Sequence, residues 1–333
     1  MPRPGVLAQS LVGAASTGRL PKLPLWRGTL TLVYHRIHDD AVDATFDSGV
    51  VSATRATLDE HLQFITRHFD VVTPEALERD PRRLGRRVIV TFDDGYRDNY
   101  ELAFPLLRRH GVAATFFLAT GFLDEPRVPW WDELAWMVKH SQAPVLQPGR
   151  WLHRPIRLDA NRRAASDELA RVYKSLATKD TEAFLDFCAE AAGSGRCPPT
   201  AGARLWMTWQ MAAEMRAAGM VFGGHTATHP VLARADEEVQ RWEIETCAQR
   251  LREQLGIAMR YFAYPVGLRD TFDVTTRRIL RAAGVEIAFS LYGGYVRGRM
   301  PDRYDVPRAS VGIGTDARAF RAALTLPQLF ARW

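Results

Sequence analysis

The sequence predicts an α/β fold in which strands and helices alternate as a (β/α) barrel. Short apolar segments of strand length alternate with segments whose apolar residues recur at helical spacing. This alternation is typical of parallel strands joined by helical crossovers. Polar residues with catalytic potential follow several predicted strands, and a (β/α) barrel carries its active site at the carboxyl ends of its strands. The predicted strands are residues 29–35, 87–92, 113–119, 220–224, 260–264 and 286–291.

Helices are predicted between these strands. Residues 57–67 carry apolar side chains at helical spacing, and residues 99–110 and 271–283 are also predicted to be helical. The last two segments stop at Gly111 and Gly284, and glycine is common just beyond the end of a helix. These segments complete repeated strand, helix and strand units.

One block, at about residues 122–204, interrupts the alternation and is predicted to be a mainly helical insertion over the barrel mouth. An amphipathic helix is expected to begin at Trp130, followed by a hairpin at 150–158 and a helical stretch at 167–192. Such an insertion would contribute specificity rather than chemistry. Its tryptophans could be sugar platforms, although aromatic residues at helical spacing are more often core residues. Asp132 could approach the active site, but nothing in the sequence requires it.

Two adjacent carboxylates, Asp93 and Asp94, follow the apolar run at residues 88–90 and precede Gly95. Neighbouring side chains of a strand point to opposite faces, so both would reach one cavity only if the glycine turns the chain at once. Such a pair suits one general base and one metal ligand. The alternative is that Asp-Asp-Gly is simply a turn after a strand.

Two histidines, His225 and His229, follow the hydrophobic stretch at residues 220–222 and lie four residues apart. In a tight loop or on one helical turn, this spacing lets both rings face one ion, and imidazole suits zinc and its neighbours among the transition metals. A carboxylate would complete a set of three protein ligands, which leaves a position for water as in catalytic metal sites. Without a third ligand, a pair of histidines is more often not a metal site.

Together, the two motifs resemble the NodB-type polysaccharide deacetylase family, whose sequences share an Asp-Asp-Gly strand end and a His-Ser/Thr-x-x-His motif. Residues 261–267 are similar to the third motif of that family, and residues 207–210 precede the helix that leads to the histidines. The resemblance implies a distorted, incomplete (β/α) barrel and a divalent metal cofactor, with zinc favoured. It also implies roles for individual residues: Asp93 as general base, Asp94, His225 and His229 as metal ligands, and Tyr264, Pro265 and Val266 as one wall of the substrate groove.

The chain departs from the family pattern in its third motif. That motif normally carries an arginine that orients the base, but Ala263 occupies the corresponding position here. Arg308 follows another predicted strand end, and we predict that it is the substitute partner of Asp93. The alternative is that Arg308 is an ordinary surface arginine.

A second departure concerns the general acid. The family takes it from a C-terminal Leu-x-His, but no histidine follows His229 in this chain. His35 ends a predicted N-terminal strand, so we assign it as the general acid, a role that suits the near-neutral pKa of histidine. This arrangement resembles a circularly permuted branch of the family in which the acid-bearing strand comes first. His38 is the rival candidate, and a capping or solvent-facing role is the alternative for both histidines.

Length and composition favour a single large core. The chain has 333 residues, of which 47% are hydrophobic, and its three cysteines do not suggest a disulfide framework. We find no apolar run of membrane-spanning length and no convincing secretory signal, so a cytoplasmic location is expected. The predicted organisation is a basic N-terminal arm at 1–28, a barrel domain at 29–315 that contains the insertion, and a C-terminal tail at 316–333.

The formal net charge is +6, and the first thirty residues contain four basic and no acidic side chains. Nucleic acid is not an expected partner, because no nucleic-acid-binding signature accompanies this charge. Peripheral contact with an anionic membrane surface, where lipid-linked sugars are found, is a better hypothesis. Apolar residues near the C-terminus would help: Leu326, Leu329, Phe330 and Trp333. A solvated basic surface is the alternative.

These observations predict a metal-dependent hydrolase that removes an acyl group, foremost N-acetyl, from an amino sugar of a glycan or of a lipid-linked precursor, as in exopolysaccharide biosynthesis. The residue types suit this chemistry, because a carboxylate can take a proton from water while a metal ion polarises an amide carbonyl. Two alternatives stay open. One is a deformylase or O-deacetylase acting on a related sugar. The other is a carbohydrate-binding pseudoenzyme, which Ala263 and the missing C-terminal histidine suggest and the retention of Asp93 opposes.

Overall fold

Parallel strands form one curled sheet at the centre of the molecule. The computed structural model describes residues 26–39, 45–79, 85–159, 161–297, 300 and 302–327. The eight strands of this sheet are β1 (Gly28–Tyr34), β4 (Asp70–Val71), β5 (Arg86–Phe92), β6 (Thr115–Leu118), β9 (Val221–Gly224), β10 (Tyr261–Ala263), β11 (Ile287–Phe289) and β12 (Ala309–Ser310). Seven of them follow the order β11-β10-β9-β6-β5-β1-β12, β4 pairs with β5, and every pairing is parallel.

A short C-terminal segment connects the two edges of the sheet. Val306 pairs with Phe289 of β11 in parallel, and Ala309 of β12 pairs with Leu32 of β1. The curled sheet is thus closed through a few residues only, which makes it a distorted and incomplete barrel. The predicted fold class is confirmed, and the six predicted strands all exist with slightly shorter or shifted bounds.

Two further strand pairs lie outside this sheet. They join β2 (Arg36–His38) to β3 (Val51–Thr54) and β7 (Val145–Leu146) to β8 (Ile156–Arg157). The helices surround the sheet or belong to the insertion. They are α1 (Arg55–His68), α2 (Glu75–Arg79), α3 (Phe104–Arg109), α4 (Thr120–Asp124), α5 (Trp130–Lys139), α6 (Arg162–Ser175), α7 (Thr181–Ala192), α8 (Trp209–Ala217), α9 (Glu237–Leu255), α10 (Val274–Ala282) and α11 (Ala317–Thr325).

The helix predicted at residues 99–110 begins with a wider, π-helical turn at Asn99–Ala103 before α3. Pro105 explains this difference, because proline has no N–H with which to continue the regular helical hydrogen bonds. The side chain of Asn99 donates instead to the carbonyl of His35 at 2.7 Å. The irregular turn therefore ties this helix to the end of β1.

The insertion packs around an apolar cluster that includes Trp130, Trp131 and Phe184, and residues outside the insertion, Tyr96 and Trp206 among them, complete this cluster. The extent of the hairpin predicted at residues 150–158 was wrong. β8 forms an antiparallel pair with β7, and β7 lies before residue 150.

The helical stretch expected at 167–192 is two helices, α6 and α7. Leu176 and Ala177 adopt extended backbone angles with ψ of 150° and 140°, which ends the first helix. Residues 178–182 are all polar, so an interruption of the apolar pattern was visible in the sequence at this break.

Both ends of the described chain pack on the barrel. The indole N–H of Trp26 donates to the carbonyl of Leu324 at 2.8 Å, and Phe320 stacks on His61 with ring centroids 3.6 Å apart. Leu326 of the C-terminal tail is buried. Residues 1–25 of the proposed basic arm and the apolar residues 329, 330 and 333 lie outside the described residues. No helix in the described ranges combines the length and apolar character needed to cross a bilayer. The domain boundaries and the cytoplasmic location stay predictions.

Candidate active site

The direction of Asp93 follows from the alternation of side chains along β5. Val88, Val90 and Phe92 belong to the cluster beneath the surrounding helices, whereas Ile89 belongs to the cluster inside the barrel. Asp93 continues the inward series two positions after Thr91. Its backbone N–H donates to the carbonyl of Tyr34 at 3.0 Å, so the β1–β5 pairing extends to this residue.

Arg308 binds Asp93 inside the barrel through two parallel hydrogen bonds. Its two terminal nitrogens lie 2.7 Å from the two carboxylate oxygens, and both side chains are fully buried. Further contacts orient the guanidinium: Nε donates to the carbonyl of Ser290 at 3.1 Å, and one terminal nitrogen donates to the Thr91 hydroxyl at 3.3 Å. Arg308 is therefore not a surface residue, and it occupies the position that we predicted for a partner of Asp93.

The chain turns at Asp94 so that this second carboxylate also faces the cleft. Asp94 adopts a φ of 74° and Gly95 a φ of 91°. The sequence suggested that glycine alone makes this turn, but the left-handed conformation begins at the aspartate, one of the residue types that tolerate it best. Two backbone hydrogen bonds stabilise the turn. The N–H of Ala119 donates to the carbonyl of Asp94 at 3.2 Å, and the N–H of Met207 donates to the carbonyl of Gly95 at 3.0 Å.

The two histidines occupy a tight loop after β9. Thr226 has a φ of 67° and His229 a φ of 63°, and the hydroxyl of Thr226 accepts the N–H of His229 at 2.9 Å. Glu243 on α9 supports the loop by accepting the N–H groups of Ala227 and Thr228, each at 2.8 Å, and the Thr228 hydroxyl. The spacing of four residues thus brings both rings to one side.

A close approach of α4 holds the same loop from the other side. The N–H of Gly121 donates to the carbonyl of Ala227 at 2.8 Å, and a Cβ atom at this glycine would lie 2.7 Å from that oxygen. Glycine is therefore required at this point of the helix, because any side chain would displace the loop.

Asp94, His225 and His229 form a buried cluster with the geometry of a metal site. Their potential ligand atoms all lie within 4.8 Å of one another, and Oδ1 of Asp94 is 3.3 Å from Nε2 of His225 and 3.5 Å from Nε2 of His229. Ligands that bind zinc tetrahedrally at about 2.0–2.1 Å stand roughly 3.3–3.5 Å apart. Among the described residues, Oδ1 of Asp94 has no hydrogen-bond donor although it is buried. These three residues therefore fit a divalent metal ion.

The electrostatics of the cluster favour charged carboxylates and one neutral imidazole. Burial alone would raise the pKa of Asp93, but the charges of Arg308 and His225 and the bonds from Arg308 outweigh it, so this pKa lies below its ordinary value. Burial likewise opposes ionisation of Asp94, yet the neighbouring histidines lower its pKa to about 2. Burial and the charge of His225 lower the pKa of His229 to about 3, so its ring is neutral as a metal ligand must be.

Second-sphere contacts distinguish the two histidines. Nδ1 of His225 lies 2.7 Å from the carbonyl of Ala263, which leaves Nε2 to face Asp94. Ala263 thus contributes its backbone at the position where the family pattern has an arginine side chain. Burial opposes protonation of His225, but the charges of Asp93 and Asp94 prevail and raise its pKa.

His35 lines the same cleft, directly after β1. Tyr34 is the register partner of Phe92, so His35 and Asp93 follow neighbouring strands at the same level. The backbone of His35 is held from both sides, because its N–H donates to the Ser52 hydroxyl at 2.8 Å and its carbonyl accepts from Asn99. His38 is buried in β2 and is not among the residues that line the cleft.

The cleft has a volume of about 480 Å³, and its walls come from both the barrel and the insertion. Tyr264 and Val266 line it as predicted, whereas Pro265 is not among the lining residues. The hydroxyl of Tyr264 donates to the carbonyl of Tyr304 at 2.9 Å and is therefore engaged within the protein. Val266 adopts a φ of 62°, in the left-handed region that β-branched residues rarely occupy.

Several cleft residues were not identified from the sequence. Trp130 and Trp131 are buried core residues and also line the cleft, and a role of either ring as a sugar platform stays a prediction. One face of α6 contributes Arg163, Asp167, Ala170, Arg171 and Lys174. Their spacing of three and four residues was visible in the sequence, but not the fact that this face meets the cleft. Asp132 lies outside the metal cluster, where it accepts the N–H of Asp47 at 2.9 Å.

The fold and this cluster define the class of the protein as a (β/α)-barrel hydrolase. The family model for polysaccharide deacetylase matches residues 81–143 and 159–288, more than half of the chain. The chain therefore belongs to the polysaccharide deacetylase family.

One curated relative is YxkH of Bacillus subtilis (strain 168), whose name places it among the polysaccharide deacetylases. It is 28% identical over 107 residues, and the match spans 31% of this chain and about a third, 33%, of that protein.

Solved structures of similar fold include the deacetylase PplD of Streptococcus pyogenes, described in complex with acetate, with a TM-score of 0.58 and 18% identity over 93% of this chain and 100% of that one. IcaB from Ammonifex degensii has a TM-score of 0.54 and 23% identity, covering 90% of this chain and 97% of its own. A de-N-acetylase from Aggregatibacter actinomycetemcomitans has a TM-score of 0.57 and 15% identity, covering 89% and 99%. These identities establish likeness of fold.

Proposed function

We propose that this protein is a metal-dependent hydrolase that removes an N-acetyl group from an amino sugar of a glycan. One observation carries the proposal: the buried pair of Asp93 and Arg308 stands directly beside the candidate metal cluster. Asp93 lies 3.9 Å from Nε2 of His225, and its bond to Arg308 favours the ionised form that a general base needs.

Asp94, His225 and His229 would hold the ion, and a set of two imidazoles and one carboxylate suits zinc. A bound ion of this kind polarises the carbonyl of the acetyl group and lowers the pKa of a water molecule. All three residues are buried and line the cleft, so an ion held by them would be reached from the cleft.

Asp93 would take a proton from the attacking water. Each carboxylate oxygen has two lone-pair positions, and Arg308 uses one on each oxygen, so acceptor capacity remains for the water. His35 would give a proton to the amine nitrogen as the C–N bond breaks and the new C–O bond forms. Base and acid would thus come from adjacent strands, β5 and β1, and the products would be acetate and a free amino sugar.

The pseudoenzyme alternative loses much of its support. It rested on Ala263 and on the missing C-terminal histidine, but Arg308 supplies a cation at Asp93 and His35 supplies a histidine at the cleft. The description of one similar structure as a de-N-acetylase makes amide-linked acetyl the first substrate to test. Formyl and O-acetyl sugars remain the competing substrates.

The proposal is tested by measuring acetate release from N-acetylated oligosaccharides and from lipid-linked N-acetylhexosamines, using protein loaded with zinc. Asp93→Asn is the matched control because it keeps the shape of the side chain and all three metal ligands. We expect the control to lose at least about 100-fold in turnover, as is typical when a general base is removed. Full activity in Asp93→Asn would contradict the assignment of the base. Failure of the wild type to release acetate while metal is bound would favour a formyl or O-acetyl sugar as substrate, or a binding role.

The same panel addresses the kind of glycan. Release from lipid-linked sugars alone would support a precursor substrate at a membrane surface, as first hypothesised. Release from free oligosaccharides alone would support action on a polymer such as an exopolysaccharide.

A further inference from the structure

We propose that Trp131 of the insertion is a positioning residue for the metal site, which orients His229 and connects it to the turn that carries Asp94. This inference rests on the proposed function insofar as it requires a metal at the cluster. It assigns to the insertion a role in building the site, beyond the specificity that the sequence suggested.

The first step of the argument is a difference between the two histidines. Nδ1 of His225 is fixed by the carbonyl of Ala263 at 2.7 Å. Nδ1 of His229, although buried, finds no hydrogen-bond partner within the described parts of the chain. Metal-bound histidines usually have their second nitrogen held by a hydrogen bond that sets the ring orientation. His229 therefore needs another means of orientation.

Trp131 supplies a contact of the required kind. Its ring meets the imidazole of His229 edge to face, with centroids 4.6 Å apart and an angle of 64° between the planes. Trp131 is 6% exposed, and its indole lies at right angles to that of Trp130 at a centroid distance of 5.2 Å. Aromatic pairs prefer this geometry and are stabilised by it beyond the burial of their area. The ring of His229 is thus held by packing.

The other end of Trp131 contacts the turn that carries Asp94. Its Nε1 donates to the hydroxyl of Tyr96 at 2.9 Å, and Tyr96 lies two residues after Asp94 in the same turn. Tyr96 is itself fully buried and stacks on Trp206 at 4.7 Å. One side chain of the insertion therefore contacts the surroundings of two of the three ligands, which come from different strands.

The start of α5 is itself anchored to the barrel. Asp132, the next residue, accepts the N–H of Asp47 at 2.9 Å, and its second oxygen lies 3.9 Å from the guanidinium of Arg36. Arg36 also lies over the ring of Tyr96, with its guanidinium carbon 5.2 Å from the centroid. These contacts fix the position of Trp131 relative to the metal ligands independently of the ligands themselves.

The test measures the zinc affinity of the folded protein by competition with a chromogenic chelator, and records the visible spectrum of the cobalt-substituted protein. We expect Trp131→Ala to weaken zinc binding by about 10- to 100-fold, as for other residues that orient metal ligands. Trp131→Phe keeps an aromatic edge at His229 but loses the hydrogen bond to Tyr96, so it should weaken zinc binding less than Trp131→Ala does. Trp136→Ala, which removes a tryptophan of the same helix that stacks on His140, is the control for general loss of packing.

Trp131→Leu keeps apolar bulk without the aromatic edge, so it covers the case in which the alanine variant does not fold. Wild-type zinc affinity and an unaltered cobalt spectrum in a folded Trp131→Leu or Trp131→Ala protein would overturn the inference. Equal weakening in Trp136→Ala would do so too. A wild type that binds neither ion would instead overturn the metal dependence in the proposed function, so the two failures are distinguishable.

Discussion

The pairing of Arg308 with Asp93 makes a specific prediction for the variant Arg308→Lys. Lysine keeps the positive charge but has a single ammonium group, which cannot reproduce two parallel bonds of 2.7 Å to the two carboxylate oxygens. One lost hydrogen bond to a charged group corresponds to about 1.5–3 kcal/mol. If this bond acts on the base in the transition state, turnover falls by roughly 10- to 150-fold.

The assay is the kcat for acetate release at saturating zinc, with the metal content of each preparation determined separately. None of the three candidate metal ligands contacts Arg308 directly, so the variant should retain its metal. Arg303→Lys is the matched control, because it makes the same exchange at an exposed position five residues earlier. A turnover of Arg308→Lys within twofold of the wild type, with metal bound, would refute the role of Arg308.

Three further predictions follow from the surrounding contacts. Glu243→Ala leaves the N–H groups of Ala227 and Thr228 in the histidine loop without their acceptor, so the free energy of unfolding should fall by about 2–4 kcal/mol and zinc affinity should weaken. A denaturant titration with and without zinc checks this, and an unchanged midpoint would contradict it. His35→Ala should reduce the release of acetate from amides by about 100-fold or more, but it should barely affect the hydrolysis of an aryl acetate, because that leaving group needs no proton. His38→Ala should affect neither reaction. Equal losses on both substrates in His35→Ala would remove His35 as the acid. Burial raises the pKa of both Asp98 and Asp132 to about 7, above the ordinary value of 3.8, so between these values the folded protein holds protons that the unfolded chain releases, and stability falls as the pH rises from about 4 to 7. The melting temperature should therefore fall over this range and level off above it, and Asp98→Asn should flatten that slope. A wild-type melting temperature that is constant over this range would show that the two carboxyls titrate elsewhere.

The part of the site that lies on β5 could be predicted because strand geometry is strict. The alternation through Ile89 and Thr91 assigns Asp93 to the barrel interior, and the strand end explains why a loop begins there. Arg308 stands 215 residues away from Asp93, and it was proposed as a partner because it was expected to follow a strand end. In the structure it lies between Val306, which pairs with β11, and the start of β12 at Ala309, so the contact exists although the expected position after a strand end was wrong.

Contacts between the insertion and the barrel could not be predicted in the same way. Trp131 and Lys174 lie on helices whose periodicity shows which residues share a face, but not which face meets the cleft. Glu243 did leave a signal, because it stands beside Ile244 on a stripe of α9 that is buried and mostly apolar. A charged residue in such a stripe indicates a buried polar partner. The left-handed turn at Asp94 left none, since the neighbouring glycine already accounted for a turn.

The short segment that closes the barrel also carries Arg308. Val306 pairs with β11 and Ala309 pairs with β1, so the guanidinium reaches Asp93 only while both edges are joined. A local opening of these few residues withdraws the arginine from the carboxylate although most of the core stays folded. Enzyme activity and closure of the barrel therefore depend on the same conformational equilibrium. In rising denaturant, inactivation should therefore precede the loss of helical structure, and the barrel seam would act as the most sensitive element of the enzyme.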